Sequence, residues 1–383
     1  MVIMKKVLIV HTNYQNIGGE DIAVNSEIEF LSKHFDVQTL YFSNKIENLF
    51  STFISFLTNR NFKSDNLILE KINSFKPDVV YFHNTWYKIQ LGIFEVLKKN
   101  NIKTIIKLHN FRYYCTKSIF HRSHLNGKQF CEACGQDFNK FKIFNKYFKE
   151  SYLKSFFVYL YGRKYIKILK DPYYVKFVMT KHHKKFFKQE FGNNENFYIF
   201  PNKLKKDLFN DLGKENFIVY AGRLSNEKGI TELIEAFLSL NLNEIKLKII
   251  GVGPLENILT SKYKHFENIT FLGELKNKET INFIAKSKAV VTATKLFEGQ
   301  PTLLCEASIY GVPSIFPKTG GIQEFFPKDY NLSFEQFNYS DLASKLREFF
   351  NREDIEKIGF ENQKYILKYL EENKLINMFK KIL

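Results

Sequence analysis

The feature that most constrains the fold is a strand–turn–helix–strand pattern at residues 289–316. The apolar run at 289–294 predicts a buried strand, and the turn Glu298-Gly299-Gln300 follows it. Pro301 is predicted at the first position of a helix whose apolar side chains recur at helical spacing through residue 310. Gly311-Val312-Pro313 ends this helix before the next strand. Such a unit is typical of a parallel α/β layer.

Two carboxylates in this unit stand where a ligand is expected. Glu298 lies in the loop at the carboxyl end of a strand, where open α/β sheets bind ligands, and Glu306 lies in the following helix. The first N–H groups of that helix, from Thr302 and Leu303, can bind a phosphate. A phosphate site between two carboxylates suits a nucleotide sugar, which carries hydroxyl groups on both sides of a diphosphate. The alternative is that both are ordinary solvated surface carboxylates.

A second pattern places two cations near the same kind of edge. In the stretch Arg223-Leu-Ser-Asn-Glu-Lys228-Gly229, the arginine follows a predicted strand and the lysine precedes the next helix. Two fixed cations can neutralise a diphosphate leaving group without a metal ion. Taken alone, Arg223 and Lys228 would be read as surface residues. No Asp-x-Asp stretch accompanies them in a plausible donor site, so a metal-independent site with no cofactor is expected.

Together these stretches resemble the donor-site signature of the family 4 retaining glycosyltransferases of bacterial surface-polysaccharide type. The resemblance rests on EGQPTLLCEASIYGVPSI and TGGIQE after residue 297, YAGRLSNEKGI from 220, IIGVGP from 249 and FLG from 271. It implies an α/β GT-B fold, with two Rossmann-like doubly wound domains facing a cleft. The N-terminal acceptor-side domain is predicted at 1–204 and the nucleotide-sugar donor domain at 205–364. The last helix, 365–383, is predicted to pack back on the first domain.

The resemblance also implies a reaction and its residues. A hexose moves from a nucleotide-diphosphate sugar, with UDP favoured, to a glycan or polyprenyl-linked acceptor in capsule or lipopolysaccharide synthesis, with retained anomeric configuration. The catalytic residues implied are Arg223, Lys228, Glu298 and His109. The donor-binding residues implied are Glu306, Gly18, Gly19, Gly222, Gly251, Gly253, Gly299, Pro301, Thr302 and Leu303. A GT-B sugar-nucleotide epimerase or phosphorylase is the alternative enzyme.

The first half of the chain reads as further α/β units. Strands are predicted at 5–11, 37–42, 79–83, 101–109, 175–180 and 197–201, with helices at 21–33, 48–56 and 89–99 and a linker at 202–216. A glycine turn at 16–20 precedes the first helix and can approach an anion closely. His109 ends a strand and so faces the ligand edge, although a structural hydrogen-bonding role is equally compatible with the sequence.

Composition bounds the remaining functions. The chain has 383 residues, enough for two domains, and a net charge of +17. It contains no apolar run of the roughly 18 residues that span a membrane, and its start does not resemble a signal peptide, so a cytoplasmic protein is expected.

Residues 140–190 hold 14 Lys or Arg against 3 Asp or Glu. A predicted basic, aromatic helix at 140–169 either docks on an anionic membrane surface or packs in the core. The charge alone also fits a nucleic-acid binder, but no recognised nucleic-acid motif is present.

Three of the four cysteines cluster in the sequence, at Cys115, Cys131 and Cys134. With His121 or His124 they form a zinc-ligand set, because Cys and His in tetrahedral geometry are the usual zinc ligands. Reduced structural cysteines and a catalytic thiol are the alternatives.

Overall fold

The computed structural model describes residues 4–13, 19–45, 49–111, 114–115, 130–135, 151–192, 196–206, 213–242 and 244–383. The chain divides into two compact units. Unit 1 comprises Met1–Lys203 and Glu372–Leu383, and unit 2 comprises Leu204–Glu371. Each unit contains a six-stranded sheet whose neighbouring strands are all parallel.

The sheet of unit 1 has the order β2-β1-β3-β4-β5-β6. Its strands are β1 (Lys6–Asn13), β2 (Asp36–Ser43), β3 (Val79–Phe82), β4 (Thr104–Lys107), β5 (Val175–Val178) and β6 (Phe197–Ile199). The central strands β1, β3 and β4 are almost wholly buried. Because helices cover both faces of a parallel sheet, such strands appear in the sequence as continuous apolar runs.

Seven helices belong to unit 1 in the part of the chain that is described. They are α1 (Gly19–Ser32), α2 (Leu49–Thr58), α3 (Phe62–Phe75), α4 (Gly92–Lys99), α5 (Tyr152–Lys170), α6 (Lys181–Phe191) and, at the C-terminus, α13 (Glu372–Ile382). Side-chain caps fix several starts: Ser151 accepts a hydrogen bond from the N–H of Lys154, and Thr180 accepts one from the N–H of His183. The C-terminal helix packs through Leu375 and Phe379 into the core of unit 1.

The sheet of unit 2 has the order β9-β8-β7-β10-β11-β12. Its strands are β7 (Phe217–Ala221), β8 (Lys246–Ile250), β9 (Ile269–Gly273), β10 (Ala289–Val291), β11 (Ser314–Pro317) and β12 (Ser333–Phe334). Its helices are α7 (Ile230–Leu238), α8 (Glu256–Tyr263), α9 (Asn277–Lys286), α10 (Thr302–Ile309), α11 (Tyr339–Phe350) and α12 (Ile355–Tyr369), with 3-10 turns at Asn226–Lys228 and Ile322–Phe325. This is the strand order of a Rossmann sheet. From β7 the next strands are added toward one edge of the sheet, and from β10 they are added toward the other edge, so the strand order reverses between these two neighbours.

Several predicted boundaries differ from the structure. The described part of the predicted helix at 140–169 is α5, which begins at Tyr152 because Ser151 caps it; residues 140–150 lie outside the described residues. The predicted returning segment at 365–383 is split. Residues up to Tyr369 belong to α12 of unit 2, and the segment in unit 1 begins at Glu372. The predicted strand at 101–109 is four residues long, Thr104–Lys107.

Candidate functional site

The best candidate site in unit 2 lies where the order of its sheet reverses. Strands β7 and β10 are neighbours there, with Ile218 opposite Ala289, and both carboxyl ends leave the sheet at one edge. A helix follows each strand on opposite sides of this point, so the two loops separate and leave a crevice between them. The residues of this unit that are predicted to bind the donor lie on these two loops, on the loop after β8 or in the helix α10 that follows Glu298.

Lys228 and Glu298 meet at this point, although 70 residues separate them in the sequence. The Lys228 ammonium donates a hydrogen bond of 2.6 Å to Oε1 of Glu298, and both side chains are half-buried. Lys228 is the last residue of the 3-10 turn, and Gly229 follows with a φ of +66°. A Cβ on Gly229 would lie 2.0 Å from the carbonyl oxygen of Ala293, so only glycine lets the turn pack this closely on the loop after β10.

Glu298 is held by its own loop and by the glycine pair after β11. Thr294 Oγ1 donates a second hydrogen bond to the same carboxylate oxygen, at 3.1 Å. The N–H of Gly321 binds the carbonyl oxygen of Glu298 at 2.8 Å. Gly320, with a φ of +56°, lies so close that a Cβ there would be 2.5 Å from both the nitrogen and the carbonyl oxygen of Glu298. The position of this carboxylate therefore depends on two loops and on the ammonium of Lys228.

Arg223 supplies the second predicted cation and is exposed at the end of β7. Its carbonyl oxygen accepts a hydrogen bond from Tyr220 Oη at 3.0 Å, which fixes the backbone. Its guanidinium forms no ion pair or hydrogen bond with any residue that the structure describes. An exposed cation without an internal partner is available to an anionic ligand.

The predicted glycines after β7 and β8 have a visible packing role. A Cβ on Gly251 would lie 2.1 Å from the carbonyl oxygen of Gly222, and one on Gly253 would lie 2.4 Å from that of Leu224. The two loops therefore run in backbone contact, with the N–H of Leu224 bound to the carbonyl oxygen of Val252. Close packing explains why these positions are glycines, and their contact with the donor stays a prediction.

The helix that follows Glu298 begins one residue later than predicted. Pro301 is its N-cap, with ψ near 86°, and Thr302 and Leu303 are the first helical residues, both half-buried. Their N–H groups stand at the helix start, where no intrahelical acceptor exists. Farther along the helix, burial raises the pKa of Glu306 to about 7, and a hydrogen bond from Asn277 acts in the opposite direction. Glu306 is therefore only partly ionised near neutral pH.

In unit 1, His109 follows β4, is half-buried and packs against the buried ring of His83. Its Nε2 lies 3.0 Å from Nδ1 of His83, which follows β3, and the two rings stack. Burial is the largest cause of a strong lowering of both pKa values, and the nearby charge of Lys107 adds to it. Both imidazoles are therefore neutral at pH 7, so one ring donates and the other accepts.

The tautomers of this pair follow from the other nitrogen of His83. His83 Nε2 is buried and has no hydrogen-bond partner among the described residues. An unpaired buried N–H is costlier than an unpaired lone pair, so the proton belongs on Nδ1 of His83, which donates to Nε2 of His109. Of the remaining unit 1 predictions, Gly19 is the first residue of α1, and Gly18 lies outside the described residues.

The sequence reasoning did not identify Thr294, Lys295, Gly320 or His83. Lys295 joins the two loops of unit 2, with its ammonium bound to Glu232 at 2.6 Å and its N–H bound to the carbonyl oxygen of Glu227. His83 carried the same signal as His109, because each is the last residue of a strand that the sequence predicts. The other three carried no such signal: Lys295 and Gly320 contact residues distant in the sequence, and Thr294, four residues before Glu298, ends an apolar run that predicts only a buried strand.

Comparison with known proteins gives a family match over the second half of the chain. Residues 186–380 match the family model described as "Glycosyl transferases group 1". An uncharacterized glycosyltransferase of Methanocaldococcus jannaschii, MJ1178, is 26% identical over 226 residues, which is 56% of this chain and 63% of that protein. The putative teichuronic acid biosynthesis glycosyltransferase TuaC of Bacillus subtilis is 30% identical over 145 residues, 37% of this chain and 36% of TuaC. The capsular polysaccharide biosynthesis glycosyltransferase CapM of Staphylococcus aureus is 26% identical, with 45% of this chain and 47% of CapM covered. The chain thus spans less than two thirds of the length of each of these relatives.

Solved structures resemble the chain over nearly its whole length. HepE of Anabaena, in complex with UDP and glucose, has a TM-score of 0.69 at 12% identity, with 98% of each chain covered. Sucrose-phosphate synthase of Thermosynechococcus elongatus has a TM-score of 0.68 at 13% identity, with 99% of each chain covered. At such identities the likeness concerns the fold alone, and the predicted α/β GT-B fold is confirmed.

Proposed function

The chain belongs to the glycosyl transferases of group 1, and from this premise we propose that it transfers a hexose from a nucleoside-diphosphate sugar to a glycan or lipid-linked acceptor. The observation that carries the proposal is the ion pair between Lys228 and Glu298 at the reversal point of the unit 2 sheet. This ion pair joins, by a direct hydrogen bond, a cation that can bind phosphate and a carboxylate that can bind hydroxyl groups. A sugar diphosphate needs both groups at the bond that breaks.

In the proposed reaction the donor diphosphate lies against Arg223, Lys228 and the start of α10. These groups stabilise the charge that develops on the leaving diphosphate as the glycosidic bond breaks. Glu298 accepts hydrogen bonds from hexose hydroxyls, and Glu306 accepts them from the ribose. From the family resemblance, His109 binds the donor sugar, and its neutral state gives it one N–H to donate.

The finer features of the proposal come from the family resemblance and from the relatives. Attack on the face that the diphosphate leaves, with a phosphate oxygen taking the acceptor's proton, gives retention without a protein nucleophile. A UDP-sugar is the proposed donor, since HepE was solved with UDP and with UDP-glucose. TuaC, CapM and the amylovoran biosynthesis glycosyltransferase AmsD of Erwinia amylovora support a surface polysaccharide as the product. The two cations support a donor site that works without a metal ion.

We place the proposed membrane contact on α2 and the first turn of α5, rather than along the whole of α5. Within α5 the aromatic residues Tyr161 and Tyr165 are buried in the core of unit 1. By contrast, Phe50 and Leu57 of α2 are 72% and 63% exposed, and Leu153 of α5 is 64% exposed. Phe53 and Phe157 join the two helices, with ring centroids 5.7 Å apart.

Basic side chains lie beside this apolar surface, as on a surface that binds an anionic leaflet: Lys63 lines a groove with Ile54 of α2, Lys154 follows Leu153, and the Lys164 ammonium binds the carbonyl oxygen of Phe56. None of the helices in the part of the chain that is described is long and apolar enough to cross a membrane. Peripheral attachment at the cytoplasmic face, next to a lipid-linked acceptor, is therefore part of the proposal.

The test of the donor site is a thermal-shift series with UDP, GDP and ADP and their common sugar conjugates, with and without Mg²⁺ and EDTA. UDP and one UDP-sugar should raise the melting temperature by several degrees, equally in EDTA. Lys228→Met should abolish this shift. Lys262→Met is the matched control, because Lys262 forms a Lys–Glu pair of 2.8 Å on the exposed surface of the same unit. A shift equally large in Lys228→Met and Lys262→Met would refute the donor site.

The reaction itself is tested by following turnover of the donor by ¹H NMR. The anomeric coupling of the first product formed should match that of the donor. An inverted product would refute retention, and a product formed without acceptor or water, or only with phosphate, would identify an epimerase or a phosphorylase instead.

A further inference from the structure

Three thiols from two separate segments converge in unit 1, away from the site described above. Cys115 comes shortly after β4, and Cys131 and Cys134 come from a turn that follows 15 intervening residues. The first two are buried and the third is half-buried. The three sulfur atoms all lie within 4.8 Å of one another. Elsewhere in the described chain, no other group of three or more such side chains converges in this way.

The local backbone directs these thiols toward one point. The carbonyl oxygen of Cys131 accepts hydrogen bonds from the N–H groups of Cys134 and Gly135, at 3.3 and 2.8 Å. Gly135, directly after Cys134, has a φ of +78°, a backbone conformation that favours glycine. The spacing of two residues between Cys131 and Cys134 is the one that zinc sites use for a pair of ligands on a turn.

The separation of the sulfur atoms distinguishes a metal site from a disulfide. Sγ of Cys115 lies 3.9 Å from Sγ of Cys131. A disulfide requires about 2.05 Å. Four sulfurs around a tetrahedral ion, each about 2.3 Å from it, lie about 3.8 Å apart. We propose that Cys115, Cys131 and Cys134 bind one Zn²⁺ as thiolates, with a fourth position open to water or another ligand.

Zinc is the ion that fits this set best. Thiolates select Zn²⁺, Cu⁺ and iron–sulfur clusters over hard cations, and three converging cysteines with a fourth open position suit a single tetrahedral ion. Binding releases three protons, one from each thiol, so the charge of the occupied site is −1. The ion stabilises the fold because it closes the chain between Cys115 and Cys131. Tyr114, next to the first ligand, packs edge-to-face on Phe186 of α6 at 4.9 Å, so the ion also holds this segment on the domain.

The test is metal analysis of the full chain, purified without a polyhistidine tag and without chelators from cells grown with zinc. Mass spectrometry of the elements should find about one zinc ion per chain. Cys134→Ser, at the least buried of the three positions, should lose most of it. The matched control is Cys305→Ser, since Cys305 is a buried thiol of unit 2 that lies outside the cluster. It should keep the full amount.

A second measurement does not depend on a variant that folds. The wild-type chain, stripped of metal and titrated with Co²⁺, should develop thiolate-to-cobalt charge-transfer absorption and the visible bands of tetrahedral Co²⁺. Equal zinc in Cys134→Ser and wild type, stoichiometric copper in place of zinc, or a Co²⁺ spectrum without charge-transfer bands would overturn the proposal. So would an intact mass that is two hydrogens lighter, because it would identify a disulfide.

Discussion

The substitution Gly320→Ala tests whether the glycine pair after β11 positions Glu298 for catalysis. A Cβ on Gly320 would lie 2.5 Å from the nitrogen and from the carbonyl oxygen of Glu298, where ordinary contact begins at 3.4 Å. Both contacts are to backbone, so no side chain can rotate away. The Glu298 loop must therefore move by about 0.9 Å, and a displacement of about 1 Å at a reacting group can cost roughly 100-fold in rate.

The matched control is Gly311→Ala in the same unit. Gly311 has a φ of +67°, close to the +56° of Gly320, but the nearest atom to its Cβ would be 3.8 Å away. Both variants pay about 1–2 kcal/mol for placing alanine in the left-handed region. Overpacking lowers the free energy of unfolding of Gly320→Ala by roughly a further 1–3 kcal/mol. The free energies of unfolding in urea should differ by that further amount.

The decisive assay is donor turnover of the two variants at a temperature where both are folded. Gly311→Ala should keep wild-type kcat, and Gly320→Ala should lose roughly 100-fold. If the two variants are equally destabilised and turn over the donor at the same rate, Gly320 does not position Glu298. If Gly320→Ala is less stable but fully active, the collision is relieved away from the site, and the reasoning is again refuted.

Three further outcomes are expected. Glu298→Gln should bind UDP several-fold more tightly, because a negative charge beside the diphosphate is removed, while turnover falls; calorimetry showing weaker UDP binding would contradict this. Glu306→Gln should remove a pH dependence of stability. Burial raises the pKa of Glu306 from 4.5 to about 7, so the wild-type free energy of unfolding should fall across that window as pH rises, relative to the variant. His83→Phe should lower kcat more than it changes KM, because His109 loses the hydrogen bond that fixes its tautomer. His83→Asn should restore part of the lost kcat. A change in donor affinity alone, with kcat unaltered, would contradict a positioning role.

The alternation of strands and helices was predictable because buried parallel strands form apolar runs. The strand Phe217–Ala221, FIVYA, is buried at all but its last residue, and its continuous apolar sequence predicts that burial directly. The helix Phe62–Phe75 was missed, because charged and polar residues interrupt its apolar stripe. Ile68, Ile72 and Phe75 are nevertheless buried against unit 1, so tertiary packing determines this helix more than its local pattern does.

The candidate site was predictable to the level of its loops but not of its contacts. Arg223, Lys228 and Glu298 all stand after strand ends, and the topology of a parallel sheet brings strand ends to one edge. The hydrogen bond between Lys228 and Glu298 joins residues far apart in the sequence, and no spacing rule relates them. The need for glycine at Gly229 and Gly320 could not be predicted from the sequence either, because it depends on the close approach of the backbone of the loop after β10.

The pairing of Lys228 with Glu298 changes how the two predicted cations should act. Without a ligand, the carboxylate cancels the charge of Lys228, so Arg223 and the start of α10 are the groups left to attract a diphosphate. In the proposed function, the diphosphate competes with Glu298 for this ammonium when the donor binds. The carboxylate then keeps the hydrogen bond from the Thr294 hydroxyl but loses that of the ammonium, and in this proposal the hydroxyls of the hexose replace it. In the proposed function, binding the diphosphate therefore prepares Glu298 to bind the sugar, and a nucleotide without a sugar leaves that carboxylate without a replacement for the ammonium of Lys228.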